Sequence, residues 1–377
     1  MPKVNLAFIT NTRSEIDRDI VYAHHFVETG NKFVPDIFNW KKVNITIGDQ
    51  CLSSQMVVIG SSTADLYSGL RNESVSDARQ KKEILERIHQ GKTQTRLAIV
   101  HALDDLRADV ICFGASTKNL LKVPELQQLN GQHTSVFTLG DSYTAAVCVE
   151  QIKKACERGG VDFYSPQTNF LIVGAYGLLG RLVSRYFSQF ACQLLLVGRD
   201  ITQLKKLTTE LKSSCRFRLY QKCTDVNEQV HLLFTATNSP ESIITPHLIK
   251  DWGGKILALD VAEPPNITPD VCQRSGSGFL RLDAGVVRND TLYFENGNQM
   301  GLRDNTIFAC FAEGFIVAHL LAQKQLSLPA YDLMKVREDY FANLLAYADQ
   351  CGFILHDFQS FGQIITAEQW RKFITVA

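Results

Sequence analysis

A chain of 377 residues exceeds what one ordinary core fills and suits two compact domains. Its 45% hydrophobic and 21% charged content is that of a globular protein, and 39 basic against 39 acidic residues leave no overall field to attract nucleic acid or an anionic membrane. The ten cysteines are scattered, with no C-x-x-C pair and no Cys/His cluster at zinc spacing, so no metal is expected. Met1-Pro2-Lys3 opens no signal peptide, and free thiols in a cytoplasmic chain are the plain expectation.

In chain order, Asn5–Thr10 and Met56–Gly60 read as buried strands closed by Ser/Thr/Asn punctuation. His24-His25 read as lying on a helix surface. A long helical pattern runs from about Val75 to Leu106, broken at Gly91, with Ile84, Leu85, Ile88, Leu97, Ile99 and Val100 as its apolar positions. Its basic residues Arg79, Lys81, Lys82, Arg87, Lys92 and Arg96 are either a dock for an acidic carrier or a solvated face diluted by Glu83 and Glu86. Asp109–Phe113 is a short strand, followed by the loop Gly114-Ala115-Ser116-Thr117-Lys118. That loop can bind a carbonyl or serve as a plain connection. Gly140-Asp141-Ser142 opens a helix to about Arg158, with Asp141 or Ser142 as its N-cap and Thr144 in its first turn.

After Pro166, strands at Asn169–Gly174, Gln193–Gly198, Phe217–Gln221, Val230–Ala236, Lys255–Asp260 and Phe279–Asp283 alternate with helical stretches, the pattern of a doubly wound parallel sheet. Asp260 and Glu263 are candidate acids or simple turn caps. Beyond Val286 the chain reads as mostly helical, and Ile307–Lys324 is the strongest segment but too short to span a bilayer. The expected fold is α/β: a split substrate domain contributed by residues 1–143 and 286–377, with a Rossmann domain inserted over 144–285.

The glycine loop carries the most chemistry. A buried strand runs into Gly174-Ala175-Tyr176-Gly177-Leu178-Leu179-Gly180 and then a helix, which is how a backbone approaches a pyrophosphate and seats it on a helix N-terminus. The next strand ends in Gly198-Arg199-Asp200. A guanidinium there suits a ribose 2′-phosphate, whereas Asp200 keeps the 2′-hydroxyl of NAD open. NADPH is the expected cofactor, with Thr237, just past the fourth strand of this domain, as a further contact.

Asp304-Asn305-Thr306 can cap a helix starting near Ile307, which places Cys310 about one turn inside it. At about 100° per residue, Ile307, Gly314, Val317 and Leu321 share its face, so spacing alone favours a small apolar core cysteine at Cys310 over an activated thiol. Glu313 flanks that stripe and must be turned away, protonated or hydrogen-bonded, and His319 points to the opposite side.

The run Phe308-Ala-Cys310-Phe-Ala-Glu313, together with the glycine loop, Gly198-Arg199, Asp283-Ala-Gly285-Val-Val287 and Gly140-Asp-Ser-Tyr-Thr144, resembles the long-chain acyl-[acyl-carrier-protein] reductases of cyanobacteria, from Tyr22 to Gly352. That resemblance implies Cys310 as a nucleophile taking an acyl group from acyl carrier protein or coenzyme A, then NADPH-dependent release of an aldehyde. With that chemistry the apolar stripe reads as the start of an acyl channel lined by Gly314 and Val317, and Ser116 as a contact for the thioester carbonyl or pantetheine. Thr144 and Glu313 are further candidate catalytic residues, with a structural hydrogen bond favoured for Glu313, and an aldehyde-consuming enzyme is the expected partner. The Asp260-Val-Ala-Glu263-Pro-Pro265 segment departs from the family's Asp-Gly-Gly-Tyr-Pro-Lys, and His356–Ala377 extends past its usual end. Two other readings are a shikimate-dehydrogenase-like alcohol dehydrogenase, for which no N-V-T-x-P-x-K-like segment stands in the first domain, and a non-catalytic NADP-binding scaffold or sensor. A glutamyl-tRNA reductase would need a tRNA-binding surface that the neutral charge does not favour.

Overall fold

The computed structural model describes residues 3–14, 17–19, 21, 23, 35–67, 78–239, 241–253, 255–298, 300–325, 330–334 and 338–375; His24-His25 lie outside the described residues. The chain is α/β and divides into two compact units. One comprises Met1–Tyr143, Val287–Met300 and Asp304–Ile354; the other comprises Thr144–Val286, Gly301–Arg303 and Leu355–Ala377. Among the described residues no helix is long and apolar enough to cross a membrane.

The first unit is built on strands β1 (Leu6–Asn11), β2 (Ile37–Ile47), β3 (Gln50–Ile59), β4 (Val110–Phe113) and β5 (Val136–Thr138). Strands β3, β1, β4 and β5 run parallel in that order, while β2 returns antiparallel to β3 and carries Tyr293–Phe294 on its outer edge. The register sets Leu6 opposite both Ser54 and Val110. All four side chains of β4 are buried, as a parallel strand covered on both faces requires. Ile111 and Phe113 join a cluster with Ala98, Ile99, Ala102 and Leu103, contributed by helix α1 (Ala78–Val100) and the turn after it.

Helix α1 differs from the pattern read in the sequence. It is continuous through Gly91, because that glycine lies against Leu66: a Cβ there would come within 2.3 Å of the leucine side chain. Its buried face is Gly91, Gln94, Thr95, Ala98 and Ile99, while Leu85, Leu97 and Val100 are exposed. Close packing on small residues, rather than apolar spacing, selects the inward face.

The second unit holds β6 (Asn169–Val173), β7 (Gln193–Val197), β8 (Phe217–Tyr220), β9 (Leu232–Thr235), β10 (Ile256–Asp260) and β11 (Phe279–Asp283). All are parallel, in the spatial order β8-β7-β6-β9-β10-β11, the dinucleotide-binding arrangement in which the chain reverses direction beside its first strand. Alternate side chains supply two cores. Phe170, Ile172, Leu194 and Leu196 face Ala155, Val183 and Phe187, while Leu171, Val173, Leu195 and Val197 face Ile244, Leu248 and Trp252.

The expected division over 144–285 and 286–377 changes at its C-terminal side. Residues 355–377 sit in the second unit, not with the helices before them. Trp370 and Phe373 of helix α6 (Ala367–Thr375) are buried in the same core as Phe170 and Leu257. The turn before that helix donates the Phe361 and Gly362 amides to Asp283, whose other neighbour is the buried Arg281. Arg281 also lies under the Phe361 ring at 4.1 Å. A buried guanidinium with no anion would be costly, so the Asp260–Arg281–Asp283 cluster and the final segment hold one another.

Candidate functional site

At the head of the second unit, β6 passes through Gly174 at φ +83 into helix α3 (Leu178–Phe187). A Cβ on Gly174 would sit 2.5 Å from the Ala236 carbonyl oxygen, and one on Gly180 2.3 Å from that of Gly174. Any side chain at either place would force the loop apart. Gly177, the N-cap of α3, makes no side-chain capping bond, so the first-turn amides at Leu178, Leu179 and Gly180 are left for a ligand. Ala175 is buried, Leu178 is exposed, and the Tyr176 ring covers Gly198 so closely that a Cβ there would lie 2.5 Å from it. Thr237 lies over Gly174, its methyl 3.0 Å from where a Cβ would stand, and its hydroxyl donates to Asn266. The cradle fits a dinucleotide pyrophosphate.

Asp200 and Arg199 part company in the structure. The Asp200 carboxylate caps helix α4 (Ile201–Thr208), accepting from the Thr202 and Gln203 amides at 2.8 and 3.2 Å. Arg199 is exposed, its carbonyl held by Gln221, and among the described residues its guanidinium has no ion-pair partner. Of these two side chains, Asp200 is committed within the fold. Thr144 is buried in the first turn of helix α2 (Asp141–Gly159), beside Gly285. Asp260 is no free acid: it accepts from Thr235 Oγ1, Ala262 N and Ile267 N, and burial holds its carboxyl above the usual range despite Arg281.

In the first unit, helix α5 (Ala309–Ala322) begins later than expected. Thr306–Phe308 is extended, Phe308 is the N-cap, and no side chain caps the helix, so Asp304-Asn305-Thr306 do not play that part. Cys310 is thus the second helical residue rather than one turn in. The half-buried thiol receives the Phe311 amide. Burial holds it above the ordinary thiol range; Lys118 pulls it back, and Asp141 and Glu313 push the other way.

Three neighbours of Cys310 left no sequence signal as partners. Gly140, at φ +68, packs against it so tightly that a Cβ would fall 2.5 Å from Cys310 Cα. Cys112, from β4, directs its thiol to the Cys310 carbonyl oxygen at 3.1 Å. Lys118 forms a 2.5 Å ion pair with Asp141, with side chains only 15% and 11% exposed. Glu313 is fully buried and turned away from solvent, accepting from Thr138 Oγ1 and the Tyr143 amide, both at 2.7 Å. Burial pushes its carboxyl up to about 7.

The residues expected to meet a substrate fare differently. Ser116 is buried and bonded to Thr63 Oγ1 at 2.9 Å, and its amide donates to Asn11, so its hydroxyl is engaged within the fold. Gly314 faces the sheet: a Cβ would meet Leu6 at 2.7 Å and Cys112 at 3.2 Å. Val317 is fully buried. The stripe read as an acyl channel is the seam where α5 seats on the sheet, and Phe311 stacks on Phe8 at 4.2 Å along it. Four of the six basic residues of α1 have acidic partners, in the pairs Arg79–Glu83, Lys82–Glu86, Arg87–Asp65 and Arg96–Glu125.

Residues 162–284 match the family described as shikimate / quinate 5-dehydrogenase. Glutamyl-tRNA reductase of Nitratiruptor sp. is 31% identical over 97 residues, 26% of this chain and 22% of that protein. Long-chain acyl-[acyl-carrier-protein] reductase of Synechococcus elongatus is 26% identical over 186 residues, 48% of this chain and 51% of that one. The chain thus spans less than two thirds of the length of either relative. L-tryptophan dehydrogenase from Nostoc punctiforme superposes with a TM-score of 0.42 at 10% identity, over 92% of this chain and 80% of that one. The sequence matches relate the chain distantly to nicotinamide-dependent oxidoreductases.

Proposed function

We propose that this chain is an NADPH-dependent reductase of acyl thioesters, carried on acyl carrier protein or coenzyme A, which releases an aldehyde by way of an acyl group held on Cys310. The observation that carries the reading is the setting of that thiol: half-buried at the start of α5, supplied with the Phe311 amide, and packed against Gly140 next to a buried Lys118–Asp141 pair. The distant relation to a long-chain acyl-[acyl-carrier-protein] reductase supports the choice of substrate.

On this reading the second unit holds the cofactor through Gly174–Gly180, Thr237 and Arg199, and the first unit holds the acyl group. Cys310 Sγ forms the bond to the acyl carbon as the carrier's sulfur departs, an exchange of one thioester for another. Glu313, with both oxygens accepting, fixes α5 to Thr138 and Tyr143 rather than trading protons. Thr144 remains a candidate for the second step. Bound NADPH supplies the hydride. The aldehyde would pass in the cytoplasm to an enzyme that consumes it.

The test is intact-mass measurement after incubation with acyl thioesters and no cofactor. The reading expects an acyl adduct that vanishes in Cys310→Ala while NADPH still binds. The match over 162–284 favours a second reading, an NADP-linked alcohol dehydrogenase needing no thiol. It is supported if Cys310→Ala keeps full oxidoreductase activity and no adduct forms. Glutamyl-tRNA, named by other relatives, belongs in the same panel of acyl donors.

A further inference from the structure

We propose that the Lys118–Asp141 pair sets the charge state of Cys310, the lysine as a fixed cation favouring its thiolate and the aspartate as the anion that restrains it. The inference rests on the reading of Cys310 as the nucleophile. Its geometry comes from three segments meeting at one point. Lys118 follows β4 on the short turn Ala115–Asn119, Asp141 opens α2, and Cys310 opens α5. Gly140 bridges them: its left-handed backbone lies in contact with Cys310, and the next residue holds Lys118 at 2.5 Å.

Among the described residues, the ionisable groups acting on the thiol are Lys118 from the turn, Asp141 from α2, Glu313 from α5 itself and Cys112 from β4. Of these only Lys118 is cationic. Burial, the largest single influence, would favour a neutral amine, but Asp141 together with the Cys310 and Cys112 thiols more than offsets it, and Lys118 is held protonated well above the usual range. Lys118 is therefore no proton carrier. In the acyl-transfer step the Cys310 Sγ–carbon bond forms as the carrier's sulfur–carbon bond breaks. The electron pair leaves on that sulfur, and the proton shed by Cys310 ends there or in water. Lys118 keeps its own proton throughout, and its positive charge opposes the burial that disfavours the thiolate.

An ion pair that merely braced the fold would behave differently on mutation. Removing either member would loosen the same packing, and the thiol would respond in the same direction. A charge role requires opposite responses: Lys118→Met takes away the favourable charge, while Asp141→Asn takes away the unfavourable one and leaves an amide oxygen for the lysine.

The experiment is pulsed alkylation of the full-length chain with iodoacetamide from about pH 6 to about pH 10, following Cys310 by peptide mass spectrometry. Exposed Cys51 serves as the internal reference for reagent and pH. Lys118→Met should move the Cys310 midpoint up and slow alkylation about tenfold near neutral pH, one unit of thiol pKa being a tenfold change in thiolate. Lys118→Arg should restore it, and Asp141→Asn should move the midpoint down. Shifts of the same sign in Lys118→Met and Asp141→Asn, or no shift in either while Cys51 is unchanged, overturn the proposal. If Lys118→Met does not fold, Asp141→Asn and Lys118→Arg decide it by the same signs. Opposite shifts without any acyl adduct on Cys310 would uphold the electrostatic pair and defeat the acyl-reductase reading, so the two failures are distinguishable.

Discussion

Glu313→Gln tests the electrostatics of the first unit most directly. The carboxyl is fully buried and lifted from 4.5 to about 7, so the folded state binds its proton more tightly than the unfolded chain does. The stability this contributes is complete below about pH 4.5 and is lost as pH rises through about 7, some 3 kcal/mol across the window. A glutamine does not titrate, but its amide must donate where the acid accepted. One oxygen can keep the Tyr143 amide, and the nitrogen then faces Thr138 Oγ1, whose hydroxyl proton loses the acceptor it had on Glu313. That mismatch costs about 1–3 kcal/mol at every pH. The variant should be the weaker protein at pH 5 and should draw level with or overtake the natural chain by pH 8 in urea unfolding. Glu313→Ala removes the acceptor altogether, so the Tyr143 amide and the Thr138 hydroxyl lose their partner at any pH, and it should be weaker throughout. A Gln-minus-Glu difference that is equal at pH 5 and pH 8 would show that Glu313 stays ionised in the fold and would refute the reasoning.

Gly180→Ala should abolish NADPH binding in a fluorescence titration, since its methyl would lie 2.3 Å from the Gly174 carbonyl oxygen and reshape the cradle. Arg199→Asp should cut the preference for NADPH over NADH by roughly ten- to a hundredfold, the scale of one charge-assisted hydrogen bond; equal titration curves before and after would remove the assignment. Gly314→Leu should lower the unfolding midpoint and reduce turnover of short and long acyl chains alike, because the residue meets Leu6 and Cys112; selective loss of long chains would restore the channel. Phe373→Ala should cost about 3–5 kcal/mol in urea unfolding of the second unit, although the residue is far along the chain from the glycine loop.

The nucleotide half was readable because its signals are local. Strand edges after Pro166 fell within two residues of those observed, since parallel strands buried on both faces carry unbroken apolar runs such as Leu194–Val197 and Leu232–Thr235. The first unit was harder. β2 has alternating and polar stretches, and the inward face of α1 is small and polar, so hydrophobic spacing misplaced it. Cys310 could be picked out, yet its partners could not. Lys118 and Asp141 stand 23 positions apart in sequence and far from 310, and only the return of α5 to β4 brings them together. The supposed cap at Asp304–Thr306 failed because Thr306–Phe308 is drawn into extended pairing, which outranks a favourable cap.

The interleaving of the two units has a consequence for how the protein is made. Emerging from the ribosome, residues 1–143 have the strands of a sheet but lack α5, whose Phe311, itself stacked on Phe315, must cover Phe8. The nucleotide half likewise waits for Trp370 and Phe373 to close its core. Neither half can therefore be completed before most of the chain has been synthesised, and each must pass through translation with an apolar wall open to water. A fragment cut at the apparent borders of the nucleotide half would keep every glycine of its cradle and still be missing a side of its own house.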